Sequence, residues 1–138
     1  MKKIFLTLSC SAVVLLAQEF NAPMQAYMNE LAKEAKTQNA SFERFDAKRG
    51  ERIFTSKHVG KKGQEMACTS CHTVNLKQSG SNLNTNKTIA PLAPSANKAR
   101  LTDVAEVQKW LRRNFNDVYH REGSALEKGD VLTYLINQ

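Results

Sequence analysis

Cysteine is scarce in this chain. Of three in 138 residues, Cys10 falls inside an apolar N-terminal run, which leaves Cys68 and Cys71 for everything beyond it. Four zinc ligands are hard to assemble from one such pair. No strand-like alternation of any length appears, and no βαβ pattern surrounds the two thiols, which disfavours a thioredoxin-like dithiol. Methionine is also short: Met1, Met24, Met28 and Met66 are the whole set, and none lies in the C-terminal half. The 20 Lys and Arg outnumber the 13 Asp and Glu, for a net charge of +7. These cations are scattered without interleaved aromatics, so nucleic-acid binding is a poor reading.

What is present begins with Met1-Lys2-Lys3 and an apolar stretch from Ile4 to Ala17 broken only by Thr7, Ser9, Cys10 and Ser11. A charged start followed by a short apolar run predicts a secretory signal peptide rather than a membrane span, with residues 1–17 removed. Cys10 sits in mid-run behind Thr-Leu-Ser, a weak lipidation context. Loss of Lys2 and Lys3 lowers the net charge to +5, still enough to favour an acidic redox partner. The remaining length fits one domain with a modest core.

The organising feature is Cys68-Thr69-Ser70-Cys71-His72. C-x-x-C-H is the attachment pattern for c-type haem. Two thiols one helical turn apart can each add to a vinyl group of one porphyrin. The histidine directly after the second thiol can then present an imidazole nitrogen to the iron. One covalent haem c is therefore expected, and a buried haem would supply much of the apolar centre. The expected division is 1–17 signal peptide, 18–40 N-terminal helical extension and 41–138 cytochrome c domain.

The periodicity elsewhere is helical. Met24, Tyr27, Met28 and Leu31 share a face behind Pro23, which suits a first turn, so a helix is expected from Pro23 to Thr37. A second is expected from Ser41 through Phe42, Phe45, Gly50, Ile53 and Phe54, with Gly50 marking a close helix contact. His58 to Gly63 reads as a solvated loop. From Leu76 to Ala99 no period survives; Ile89-Ala90-Pro91-Leu92-Ala93-Pro94 reads as a stiff apolar strap across a haem edge. Thr102 or Asp103 caps an amphipathic helix carrying Val104, Val107, Trp110, Leu111 and Phe115, with Arg112 and Arg113 near its end. Leu126, Val131, Leu132, Leu135 and Ile136 form a last helix after Gly123. The fold class is all-α.

An ordinary electron-carrying cytochrome c has a methionine well downstream of the histidine as second axial ligand. None follows His72, so the candidates are His120, an amide such as Asn114, a lysine, or no ligand at all. Taken with the strap and with Lys109-Trp110-Leu111-Arg112-Arg113-Asn114-Phe115-Asn116, the haem motif closely resembles the sphaeroides haem protein family, over roughly Phe45 to Gln138. These are small class I-like cytochromes c that bind oxygen and other diatomic gases. The resemblance implies His72 as proximal ligand, Cys68 and Cys71 as thioether anchors and Asn114 as sixth ligand. Trp110, one turn before Asn114, is then expected to keep the distal side apolar.

Some members bracket the loop after the ligand with a cysteine pair. Phe115 and Gly123 stand at those positions here, so no disulfide closes it. The resemblance further implies a periplasmic protein that takes electrons from a dihaem cytochrome c and a membrane cytochrome b, with O2, NO or CO as ligand. Oxygen- or NO-linked oxidoreductase chemistry is compatible with the same site. The competing expectation is a bis-His electron carrier using His120.

Overall fold

A computed structural model describes residues 18–60 and 62–138; the expected signal peptide, with Cys10, lies outside them. In order, the elements are α1 (Ala22–Gln38), α2 (Ala47–Thr55), β1 (His58–Val59), β2 (Glu65–Met66), α3 (Thr69–His72), β3 (Gly80–Ser81), β4 (Thr88–Ile89), α4 (Val104–Tyr119) and α5 (Ala125–Ile136). The all-α expectation holds. No helix among the described residues is long and apolar enough to cross a membrane.

Each long helix starts on a side-chain cap of the type its sequence offers. Asn21, Asp46, Asp103 and Ser124 accept from the backbone N–H groups of Met24, Arg49, Glu106 and Glu127. These bonds satisfy donors that the first helical turn leaves unpaired. Ser124 and Glu127 complete a reciprocal capping box at α5. The apolar stripe of α1 (Met24, Tyr27, Met28, Leu31 and Ala35) is buried in the same core as Leu111, Phe115, Leu132 and Leu135. Asn21 also donates to the Thr102 carbonyl at 2.9 Å, tying the start of α1 to the entry of α4.

The centre of the fold is the crossing of α2 over α5. A Cβ on Gly50 would lie 2.0 Å from the Asp130 carbonyl oxygen, so the two backbones meet where only glycine fits. Asp130 is 1% exposed. Its Oδ1 accepts from Asp46 N at 2.7 Å and from Arg49 Nη2 at 2.9 Å, and its Oδ2 from Arg49 Nε at 2.7 Å. The forked geometry suits a charge-assisted pair. It also satisfies a carboxylate that burial alone would strongly disfavour. Arg49 remains half-exposed, so the pair closes one edge of the crossing.

Four expectations need correction. α2 begins at Ala47, not Ser41, because Asp46 takes the cap; Phe42 and Phe45 lie in the extended lead, with ring centroids 5.1 Å apart. Two short antiparallel pairs exist, β1 with β2 and β3 with β4. Each strand is two residues long, too short for alternation to register. α4 runs on to Tyr119, so Arg112 and Arg113 are mid-helix rather than near its end. His58 is not a solvated loop residue: it is half-buried, with its ring centroid 4.2 Å from that of Tyr119.

Replacing Gly50 with Ala should force α2 off α5 and cost about 1–3 kcal/mol or more, as overpacking in a closed contact does. Thermal unfolding monitored by far-UV circular dichroism checks this; an unchanged midpoint would mean the helices do not meet there.

Candidate haem-binding site

α3 is a single turn with Cys68 at its N-cap position and Cys71 and His72 at its end. A spacing of three residues stacks the two sulfurs on one side of that turn. Both thiols are free. Burial pushes the Cys68 thiol up to about 12, so it stands protonated in its apolar surroundings. Burial and then the charge of Arg100 hold His72 down at about 4, which keeps its imidazole neutral, as a metal ligand must be. The Phe54 ring of α2 lies 6.0 Å from the His72 ring and 5.7 Å from Tyr134 of α5. The helix crossing therefore sets one wall of the site.

The backbone leaving the motif is strained. Thr73 adopts φ 64°, ψ 169°, a region nearly reserved for glycine and costly for a β-branched residue. Its hydroxyl is bound to the Asn75 carbonyl at 2.8 Å. Gly80 of β3 rests on the same turn: a Cβ there would stand 1.9 Å from the Cys71 carbonyl oxygen. The apolar strap folds back alongside. Leu92 and Ala93 N–H groups both bond the Leu76 carbonyl at 2.9 Å, and Ala93 is fully buried. Arg100 clamps the strap from outside through the Ala90 and Pro91 carbonyls, at 2.7 and 2.9 Å.

Asn114 and His120 occupy different settings. Asn114 sits within α4, three residues after Leu111 and four before Val118, both buried, so it lies on the core-facing stripe. It is half-buried, and among the described residues its side-chain amide makes no hydrogen bond. The helix-capping role open to it is filled by His120, which ends α4 at φ 57°. The exposed His120 donates from Nε2 to the Val59 carbonyl at 2.7 Å. Trp110 is 40% exposed; its indole N–H donates to Glu106 at 3.2 Å, and Lys109 and Arg113 flank the ring. Met24 and Met28 are packed in the core.

The loop from α4 to α5 is closed without cysteines. A Cβ on Gly123 would come within 2.8 Å of the Phe115 ring, so the two positions meet by packing. Arg121 grips Glu127 with two bonds of 2.7 Å, and Lys128 pairs with Glu122. Tyr119 donates to the Ile53 carbonyl at 2.6 Å, and burial above all pushes its phenol up to about 12. Gly80, Arg100 and Thr73 were missed by sequence reasoning, and Phe54 was read only as part of the apolar face of the second helix. Of the first three, only Gly80, in turn-forming surroundings, carried a visible local signal.

These residues fit the group that the motif calls for. They offer two unpaired thiols on one turn and a neutral imidazole whose buried Nδ1 has no partner among the described residues. No group of three or more His, Cys, Asp or Glu comes together there to hold a lone metal ion instead. An all-helical domain closed around such a turn is a monohaem cytochrome c.

Comparison with known proteins agrees. Residues 40–135 match the family described as "Domain of unknown function (DUF1924)". The chain is 45% identical over 93 residues to cytochrome c-type protein SHP of Cereibacter sphaeroides, covering 67% of this chain and 71% of that one. It is 37% identical over 89 residues to cytochrome c'' of Methylophilus methylotrophus, covering 64% and 62%. The structure of oxidized SHP, described as an oxygen-binding cytochrome c, superposes with a TM-score of 0.74 at 38% identity, over 87% of this chain and all of that one. Oxidized cytochrome c'' does so at 0.74 and 31%, over 83% and 94%. The solution structure of that protein, described as giving insights into haem-ligand detachment, scores 0.73. The chain belongs to this DUF1924 family, is a relative of the sphaeroides haem protein, and is a c-type haem protein.

Two measurements test the site. Gly80→Ala should press on the Cys71 carbonyl and cost about 1–3 kcal/mol; the haem-to-polypeptide ratio after expression should fall. Glu127 is held below its usual range, chiefly by Arg121. Its contribution of about 1 kcal/mol is full above the ordinary glutamate pKa and is lost as pH falls through the lower folded value. Glu127→Gln should thus lower the unfolding midpoint at pH 7 and converge with the parent in acid.

Proposed function

We propose that this protein is a periplasmic gas-binding cytochrome c in which Cys68 and Cys71 anchor the haem, His72 is the permanent ligand and Asn114 a releasable one. Bound there, haem c would supply a redox-active iron able to take a further ligand. His72 is suited to permanence, because its imidazole is neutral, buried and carried on the same turn as the two anchoring sulfurs. Asn114 is suited to release. A neutral amide oxygen is a hard, weak donor that holds ferric iron better than the softer ferrous ion. Were the iron reduced, its hold on Asn114 would weaken, and O2, NO or CO could take that position instead.

The observation that carries this reading is the contrast between the two candidates on α4. Asn114 lies on the core-facing stripe with its amide uncommitted, whereas His120 ends the helix and spends Nε2 on Val59. The bis-His carrier would have to break that bond and unwind the cap. SHP, a relative described as oxygen-binding, supports the gas-binding role, and the haem-ligand detachment described for cytochrome c'' supports a releasable ligand. Trp110, one turn before Asn114, is read as helping to keep the distal side apolar. The signal peptide at 1–17 and electron donation by a dihaem cytochrome c or a membrane cytochrome b complete the proposal. Lys109, Arg112 and Arg113, close together on α4, give such donors a basic surface to meet.

Asn114→Ala should convert the ferric spectrum from six-coordinate to five-coordinate high-spin, while His120→Ala should leave it as it was. The parent protein should become high-spin on reduction and bind CO at once. A ferric spectrum unmoved by Asn114→Ala would sink the ligand assignment, and a low-spin ferrous form indifferent to CO would sink the gas-binding role.

A further inference from the structure

Behind the haem site, between α2 and the corner joining α4 to α5, lies a cleft of about 460 Å³ that the proposed function does not use. It is an open, solvent-facing depression whose volume is comparable to that of small-molecule sites. Cys71, His72 and Asn114 take no part in its lining, nor does Phe54, the α2 residue that faces His72. The α2 residues that do are Arg49, Arg52, Ile53 and Ser56, on the other side of that helix.

Charge in the cleft is unevenly spent. Asp130 has both oxygens occupied by Arg49 and the Asp46 N–H. Glu127 has both occupied by Arg121 and the Ser124 N–H. The two carboxylates are thus neutralised in place. Arg52 makes no side-chain hydrogen bond or ion pair among the described residues and is exposed at the rim. Among the described residues His58 has a buried Nε2 with no partner, an arrangement that folded proteins rarely leave unexplained. The walls are apolar: Ile53 and Leu126, with the Tyr119 ring packed on His58 at 4.2 Å. Tyr119 has its hydroxyl committed to Ile53, and its ring, packed by His58, Phe115 and the Arg121 guanidinium, still borders the cleft.

We infer that this cleft binds a small organic anion, a carboxylate on a flat apolar body. The guanidinium of Arg52 forks onto the carboxylate, a geometry that lysine could not supply. The body lies against Tyr119, Ile53 and Leu126, and entry of the anion offers the His58 nitrogen an acceptor. The site stands whether or not Asn114 is the sixth ligand, since none of Cys68, Cys71, His72 and Asn114 lines it.

The test is a titration of the ferric holoprotein with benzoate, followed by calorimetry and by NMR of the arginine and aromatic side chains. Saturable one-to-one binding is expected, with shifts centred on Arg52, His58 and Tyr119 and an unchanged Soret band. Arg52→Gln, at an exposed position, should weaken binding at least tenfold while leaving the far-UV circular dichroism intact, and His58→Gln should weaken it too. Benzamide, of the same shape without the charge, should bind much less. Absence of saturable binding, equal affinity for benzamide or in Arg52→Gln, or a Soret shift placing benzoate at the iron would each overturn the inference.

Discussion

The approach of α2 to α5 at Gly50 is the contact on which the rest of the molecule leans. With no side chain at that position, the helices close until backbone meets backbone, and the Asp130 carboxylate is buried as a result. The carboxylate is held there by the Asp46 N–H and the Arg49 guanidinium. The same closure sets Phe54 and Tyr134 beside each other and brings Phe54 to the His72 ring. A structural device in two helices thereby fixes a wall of the site formed by a third element.

Burial then does chemical work at that site. Withdrawal from water keeps the His72 imidazole neutral and the Cys68 thiol protonated. Both effects would vanish in an exposed turn with the same five residues. Strain at Thr73 and the close seat of Gly80 over Cys71 show how tightly the chain is wound around the motif. Arg100 closes the arrangement from outside, and its charge reaches His72 while its guanidinium holds the strap. On the far side, the Phe115–Gly123 contact and the Arg121–Glu127 pair brace the end of α4 without a covalent link.

Much of this was legible in advance where the signal is local. The C-x-x-C-H spacing announces itself in five residues, and α1, α4 and α5 follow from apolar positions recurring at helical intervals. Gly50 betrayed its helix contact because glycine is costly in mid-helix without a packing reason. Where the reading failed, the deciding partner was distant in the chain. Phe42 and Phe45 continue the apolar pattern of α2, yet Asp46 takes the cap. His58 looks like loop material until Tyr119, sixty-one residues later, covers its ring.

The amino-acid order alone settled the haem motif, the helical class and the absence of a methionine able to serve downstream of His72. Each of these depends only on residue identity and short-range spacing. Tertiary structure decided the rest: that Asn114 faces the core while His120 is spent on capping, that Arg52 finds no partner among the described residues, and that Gly80 lies on the Cys71 carbonyl. Those outcomes depend on which segments are pressed together when water is expelled, and no local pattern encodes that.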